Sequence, residues 1–394
     1  MSQQIPMHII PRRDQLAYVE PYTEERLSAW RRKGDPLSDA VIEQIAQKGS
    51  LQQVHNLLGE VEKLAAAGNP EARAFLDFYR DVPAWVDFDS MRKGQELLAA
   101  FPFQMGLSLF SGSLCGGAVF TKMALITSMT GMLSGDSTRR LTETTKMVVS
   151  MAFPEAIRPG GSAYELLIRV RLLHSAIRRS LVESGRFKHP TEVPINQHDL
   201  AITLGLFGYL NIRSLGRLGV TLRDEDVESY IHMWRYGGYL LGIEDELLPD
   251  SIHDQQAFFL ASLKHQAQPE KLSPATKLVL DNVARTFSGG ETIVYPHVRQ
   301  FLHQSCRYLS GNEYVTGMQI EDLGDNYWAL RLLRGVGRVQ SAVYLASPLA
   351  ASVLYRIGRA NYAEFLRRAD KNRDKKGEYR VRFVEGHASA PSPA

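Results

Sequence analysis

Apolar positions recur at three- and four-residue spacing along nearly the whole chain, and runs of strict alternation are almost absent. That spacing lines side chains up on one face of a helix, so the sequence predicts helices from end to end. After an irregular arm ending near Pro21, amphipathic helices are expected at about Glu24 to Arg32, Ser38 to Lys48, Gln53 to Ala67 and Pro70 to Arg80, with another from about Ser90. Later ones are expected over Arg139 to Met151, Glu165 to Leu181, Pro194 towards Gly216, Arg223 to Gly242, Asp254 to His265, Pro274 to Ser288, His297 to Leu309, Asp325 to Arg334 and Ser341 to Phe365. No repeat at a solenoid period stands out. The expected organisation is an N-terminal arm (1–21), one large all-α domain (22–382) and a short polar, proline-containing tail (383–394) expected to lack a fold.

One stretch departs from the amphipathic pattern. No residue from Leu97 to Thr121 is charged, which is long enough to span a bilayer. Pro102, Gln104, several serines and glycines and the early Lys122 favour a buried central helix pair, and no stable membrane span is expected. Gly112, Ser113, Gly116 and Gly117 would let another helix, or a flat cofactor, come close to the backbone.

Composition narrows the function classes. The 394 residues suffice to enclose a sizeable cavity, and 46 Lys and Arg against 43 Asp and Glu give no bulk charge for nucleic-acid binding. The densest basic cluster, Arg367 to Lys376, reads as a solvated helix end or tail. The only cysteines, Cys115 and Cys306, have no paired spacing, which disfavours a disulfide framework, a zinc knuckle and covalent haem attachment. The arginine pair near the N-terminus is followed by Asp14 rather than an apolar core, so no export signal is visible and the cytoplasm is the default expectation. There is no phosphate-binding glycine loop, nucleophile elbow or His-Glu-x-x-His pair, and Glu228 stands four residues before His232, not the three of a di-iron bundle.

What remains is a helix with one histidine between two arginines. Arg171, His174 and Arg178 lie along one stripe, with Leu166, Val170, Leu173, Ile177 and Leu181 on the neighbouring one. Cations beside an imidazole favour its neutral, metal-binding form, and guanidinium groups suit carboxylates such as haem propionates. Alternatively, His174 is a hydrogen-bonded core residue and the arginines pair with acids of adjacent helices. The preceding helix carries Arg140, Glu143, Thr144, Met147 and Met151 on one face, which suits either a pocket wall or an ordinary surface. His198, in the first turn of a later helix, is a second ligand candidate, although such histidines more often cap or face solvent.

Several stretches, in order, resemble the family of bacterial latex-clearing proteins (rubber oxygenases) and fungal MpaB-type oxygenases. They are Val82-Pro-Ala-Trp-Val-Asp with Gly94-Gln-Glu-Leu, Arg139-Arg-Leu-Thr-Glu-Thr, Arg158-Pro-Gly-Gly-Ser, Val170-Arg-Leu-Leu-His-Ser-Ala-Ile-Arg, Pro194-Ile-Asn-Gln-His-Asp-Leu and Tyr230-Ile-His-Met-Trp-Arg-Tyr-Gly-Gly-Tyr. The resemblance implies an all-helical fold of globin-like character around non-covalent haem b, with His174 as the proximal iron ligand and Arg140 and Thr144 facing the distal pocket. It also implies molecular oxygen as co-substrate and an apolar isoprenoid, alkene or lipid-like substrate. Two positions depart from the family pattern: Glu143 stands where rubber oxygenases can carry a lysine, and no acidic residue occurs from Phe120 to Gly135, where they use a glutamate. Glu143, if inward-facing, could serve as the proton shuttle instead. The other function classes are a non-catalytic haem or lipid carrier, and a helical interaction protein using the charge-free helices as its interface.

Overall fold

The computed structural model describes residues 10–376 except 12, 50, 52–55, 124–125, 127–136, 268–274, 289–290, 312–314, 316–319 and 321–326. Among the described residues the chain is all-α, with two isolated bridges, Val19 to Tyr22 and Phe120 to Ala267, in place of any strand. The helices are α1 (Glu24–Trp30), α2 (Pro36–Lys48), α3 (Leu57–Ala66), α4 (Pro70–Phe78), α5 (Arg92–Ala100), α6 (Pro102–Leu107), α7 (Cys115–Gly117), α8 (Ser137–Ser150) and α9 (Ser162–Glu183). Then follow α10 (Gln197–Phe207), α11 (Tyr209–Arg217), α12 (Asp224–Leu240), α13 (Ile252–Gln266), α14 (Ala275–Phe287), α15 (Val294–Ser310), α16 (Trp328–Ala346) and α17 (Pro348–Lys376).

Side-chain caps fix where the early helices begin. Asp35 caps α2 by accepting from the Ser38 N–H, with Pro36 at the first helical position, and Asn56 and Asn69 cap α3 and α4 in the same way. The expected start at Gln53 gives way to Leu57 because Asn56 takes the cap, and 52–55 lie outside the described residues. Near the C-terminus, the two expected helices differ in both bounds from α16 and α17. The break falls at Ser347, whose hydroxyl accepts from the Ala350 N–H, because Pro348 lacks an N–H and can only open a helix. The arm is irregular but anchored: Leu16 and Tyr22 are buried, Tyr22 donates to Asp254 Oδ1 (2.6 Å), and Lys264 donates to the Leu16 carbonyl (2.9 Å).

The charge-free stretch forms the centre. α5 packs between α12 and α17, and Gly94 sits so close to the Ser229 and Tyr230 backbone that a Cβ there would strike it. At Phe101 and Pro102 the path turns by 89°, then runs through α6, a π-helical segment (Ser108–Leu114) and α7. Most of this stretch is buried, so it is not available as an interaction surface. The small residues admit helices: Gly112 faces Ser214, Gly116 faces Ser310 and Leu210, and Gly117 faces Leu206. Among the described residues no single helix is long and apolar enough to cross a membrane. Cys115 and Cys306 are free and buried, and the contact between them, together with burial, pushes the Cys115 thiol up.

Candidate functional site

The α9 helix turns both of its stripe arginines inward. Arg171 and Arg178 are buried beside Leu167, Leu172 and Ser175, whereas Leu166, Val170, Leu173 and Ile177 are only partly buried and Leu181 alone of the expected stripe is sealed. Buried charges must be paired. Arg171 grips Asp35 with two parallel hydrogen bonds (2.6 and 2.8 Å), donates a third to the Tyr79 hydroxyl (3.0 Å), and lies over the Phe78 ring. Burial works against its charge, yet the Asp35 carboxylate and Tyr79 outweigh that and raise its pKa.

Arg178 pairs with Asp39, one helical turn beyond Asp35 on α2, and donates to the carbonyls of Pro194 (3.1 Å) and Ile195 (2.8 Å). Ile195 has φ +52°, a conformation that β-branched residues rarely adopt, and the guanidinium clasps the backbone on both sides of its amide. Gly242, at φ +78°, lies against the Arg171 guanidinium and Asp35, where a Cβ would collide with both. Gln197 ties this corner together, donating to the Gly34 and Gly242 carbonyls (2.9 and 3.0 Å) and accepting from the Glu244 N–H. Both arginines therefore make the ion pairs to an adjacent helix that were the alternative to a carboxylate-ligand role.

His174 lies between them on the partly buried face. Its Nδ1 is sealed from solvent and has no hydrogen-bond partner. Burial first, and then the Arg178 charge, pull the imidazole down to about 4 against a weaker opposing pull from Asp35, so it is neutral at neutral pH. The second candidate, His198, is engaged: it is buried with Nε2 2.9 Å from the Ser262 hydroxyl and Nδ1 3.4 Å from Arg31, neither capping nor facing solvent, since Asn196 caps α10. His232 accepts from the Asp87 N–H (3.4 Å).

The α8 helix packs on α9. Met147 and Met151 are buried, Glu143 is partly buried and Thr144 is exposed, so the expected continuous face is open at one end and closed at the other. The Arg140 side chain, and the expected turn at 131–136, lie outside the described residues. Neither of the two described cavities, a void of about 10 Å³ beside Gly112 and Gly116 and a surface cleft of about 480 Å³ at Tyr295 to Gln300, is lined by His174. Asp35, Asp39, Tyr79, Gln197 and Gly242 did not emerge from the sequence. The legible trace was the Asp35-Pro36 helix start, which does not announce that its carboxylate also takes an arginine 136 residues away.

No group of three or more metal-binding side chains occurs among the described residues. A haem does not need one, because the porphyrin supplies four nitrogens and the protein a single axial donor. A neutral histidine on a partly exposed helix face fits that requirement, while Arg171 and Arg178 already spend their charge on Asp35 and Asp39.

The fold and sequence together define a helical oxygenase. Residues 103–343, more than half of the chain, match the family described as ER-bound oxygenase mpaB/B'/Rubber oxygenase, catalytic domain, and the chain belongs to that family. The rubber oxygenase of Streptomyces sp. (strain K30) is 25% identical over 297 residues, 72% of this chain and 69% of that protein. A solved structure of latex clearing protein LCP in the closed state covers 92% of this chain and 96% of its own with a TM-score of 0.60; at 19% identity this is a likeness of fold.

Proposed function

We propose that the protein is a haem b-dependent oxygenase that uses molecular oxygen on an apolar, unsaturated chain of isoprenoid, alkene or lipid-like type. The observation that carries this reading is the unpaired Nδ1 of a neutral His174 on the partly open face of α9, in a chain of an oxygenase family. A buried polar atom without a partner costs about 1–3 kcal/mol, so this imidazole is not there to complete the packing of the free chain. Haem iron, when bound, supplies the activation of oxygen that no side chain here can perform.

The protein's own part is positional. His174 holds the cofactor through one ring nitrogen. The Arg171 to Asp35 and Arg178 to Asp39 pairs fix α9 against α2, and so fix the height and tilt of the imidazole. Arg140 and Thr144, on the helix packed against α9, supply donors towards developing negative charge. Glu143, one residue before Thr144, is the candidate to hold or deliver a proton. The name rubber oxygenase borne by its relative extends the substrate class to a polyisoprene chain.

Protein purified after haem-supplemented expression should show a Soret band and one haem per chain, and should consume oxygen with an isoprenoid oligomer. His174→Ala should lose the band while remaining folded. Full haem content and an unchanged spectrum in that variant would defeat the axial assignment.

A further inference from the structure

The last two described helices carry their apolar residues on the wrong side for a core. On α16, Trp328, Leu332, Val336, Val339 and Val343 are spaced by four, four, three and four residues and are 45 to 67% exposed. At 100° per residue they fall within a sector of about 80° running about 22 Å along the helix. The opposite face is the one that packs inward, through Leu330, Gly337, Ser341 and Tyr344. On α17, Leu349, Val353 and Ile357 repeat the pattern at four-residue spacing, with Leu349 75% exposed.

Arginines occupy the sectors beside these stripes. Arg331, Arg338, Arg356 and Arg359 are all exposed, none makes an ion pair among the described residues, and no Asp or Glu occurs from Trp328 to Ala363. Soluble surfaces rarely leave so long an apolar stripe open.

We propose that the outer face of α16 and α17 is a docking surface for an anionic lipid bilayer, on which the protein rests without spanning it. The chemistry matches on both counts. Aliphatic side chains with a terminal tryptophan suit the boundary between acyl chains and headgroups, and flanking arginines reach phosphate while their stems stay on apolar surface. Each cation near such a surface adds attraction to anionic headgroups. A second copy of this chain is a poorer occupant, because a two-fold pairing would set the same four arginines against themselves with no acid to receive them. This inference is independent of the haem reading, since it rests on helices that carry none of the proposed site residues.

The test is cosedimentation of the full chain with phosphatidylcholine vesicles containing one quarter phosphatidylglycerol, against pure phosphatidylcholine vesicles. Binding should favour the anionic vesicles by at least about tenfold, weaken with salt, and shift tryptophan emission to the blue. Leu332→Glu with Val339→Glu, and separately Arg331, Arg338, Arg356 and Arg359→Gln, should each lower binding by about tenfold, with circular dichroism and oxygen consumption on a dispersed substrate unchanged. Equal binding by wild type and variants, or no binding to anionic vesicles, would overturn the proposal. So would a wild-type dimer in light scattering that the Leu332→Glu, Val339→Glu chain fails to form.

Discussion

Arg171 and Asp35 form a two-pronged ion pair with both side chains almost sealed from solvent, at 4% and 5% exposure. The pair joins the middle of α9 to the first residue before α2, less than one helical turn from His174. Two consequences of that junction are measurable, and three further outcomes concern acid sensitivity, His174 and its facing helix.

Removing one partner leaves the other charged and buried. Arg171→Ala or Asp35→Ala should each lower unfolding free energy by about 3–5 kcal/mol, read from urea midpoints. The double replacement Arg171→Leu, Asp35→Leu should recover much of this loss. If the arginine positions α9 rather than binding a propionate, haem content of the folded double variant stays near one per chain; its loss would restore the ligand role.

The Arg171 to Asp35 pair also explains a glycine. Gly242→Ala places a side chain at φ +78° and against both partners, so a cost of about 2–4 kcal/mol is expected, well above the roughly 1 kcal/mol of the backbone conformation alone. The Asp35→Ala background should reduce the effect, because one of the two colliding groups has gone. Additive losses would show that Gly242 acts through its backbone only.

Acid sensitivity should fall in two windows. His174 is depressed to about 4 from 6.5, so between those values the unfolded chain binds a proton there that the folded chain does not, and haem-free protein loses stability as pH falls from 6.5 to 4. Burial alone would raise the Glu192 carboxyl, but Arg31 and Lys122 bring it down to about 2, so its contribution is intact above 4.5 and is lost as pH falls from there towards 2. Burial also lowers His198, His232 and His265, so His174→Leu should reduce the slope of the upper window without abolishing it and leave the lower one unchanged. An undiminished upper slope in that variant would assign it wholly to the other histidines.

His174 itself should prove dispensable for folding. Because Nδ1 has no partner, His174→Leu in haem-free protein should leave the midpoint unchanged or raise it, by up to about 1–3 kcal/mol, while haem binding is abolished. A marked loss of stability would mean that the ring is structural.

For the facing helix, Glu143→Gln should slow oxygen consumption by about 10²–10⁴-fold at unchanged haem content, the usual range for a lost general acid or base. Arg140→Ala should also slow it with the Soret band retained. Full activity in Glu143→Gln would remove this carboxylate from the reaction.

Taken alone, the sequence determined the helices, since a 3.6-residue period and Asx-Pro or Asn starts are local properties of neighbouring residues. It also determined the central place of the charge-free stretch and singled out His174. What it left open was which face of α9 turns inward. Periodicity ranks faces by apolar content, whereas a buried Arg171 or Arg178 is stable only when a carboxylate distant in sequence meets it, here Asp35 and Asp39 on α2. The same reason hid Gly242, whose role exists only once that pair is in place. Pairing across 136 residues is decided by tertiary packing, and with it the neutral, unpartnered state of the histidine between the two arginines.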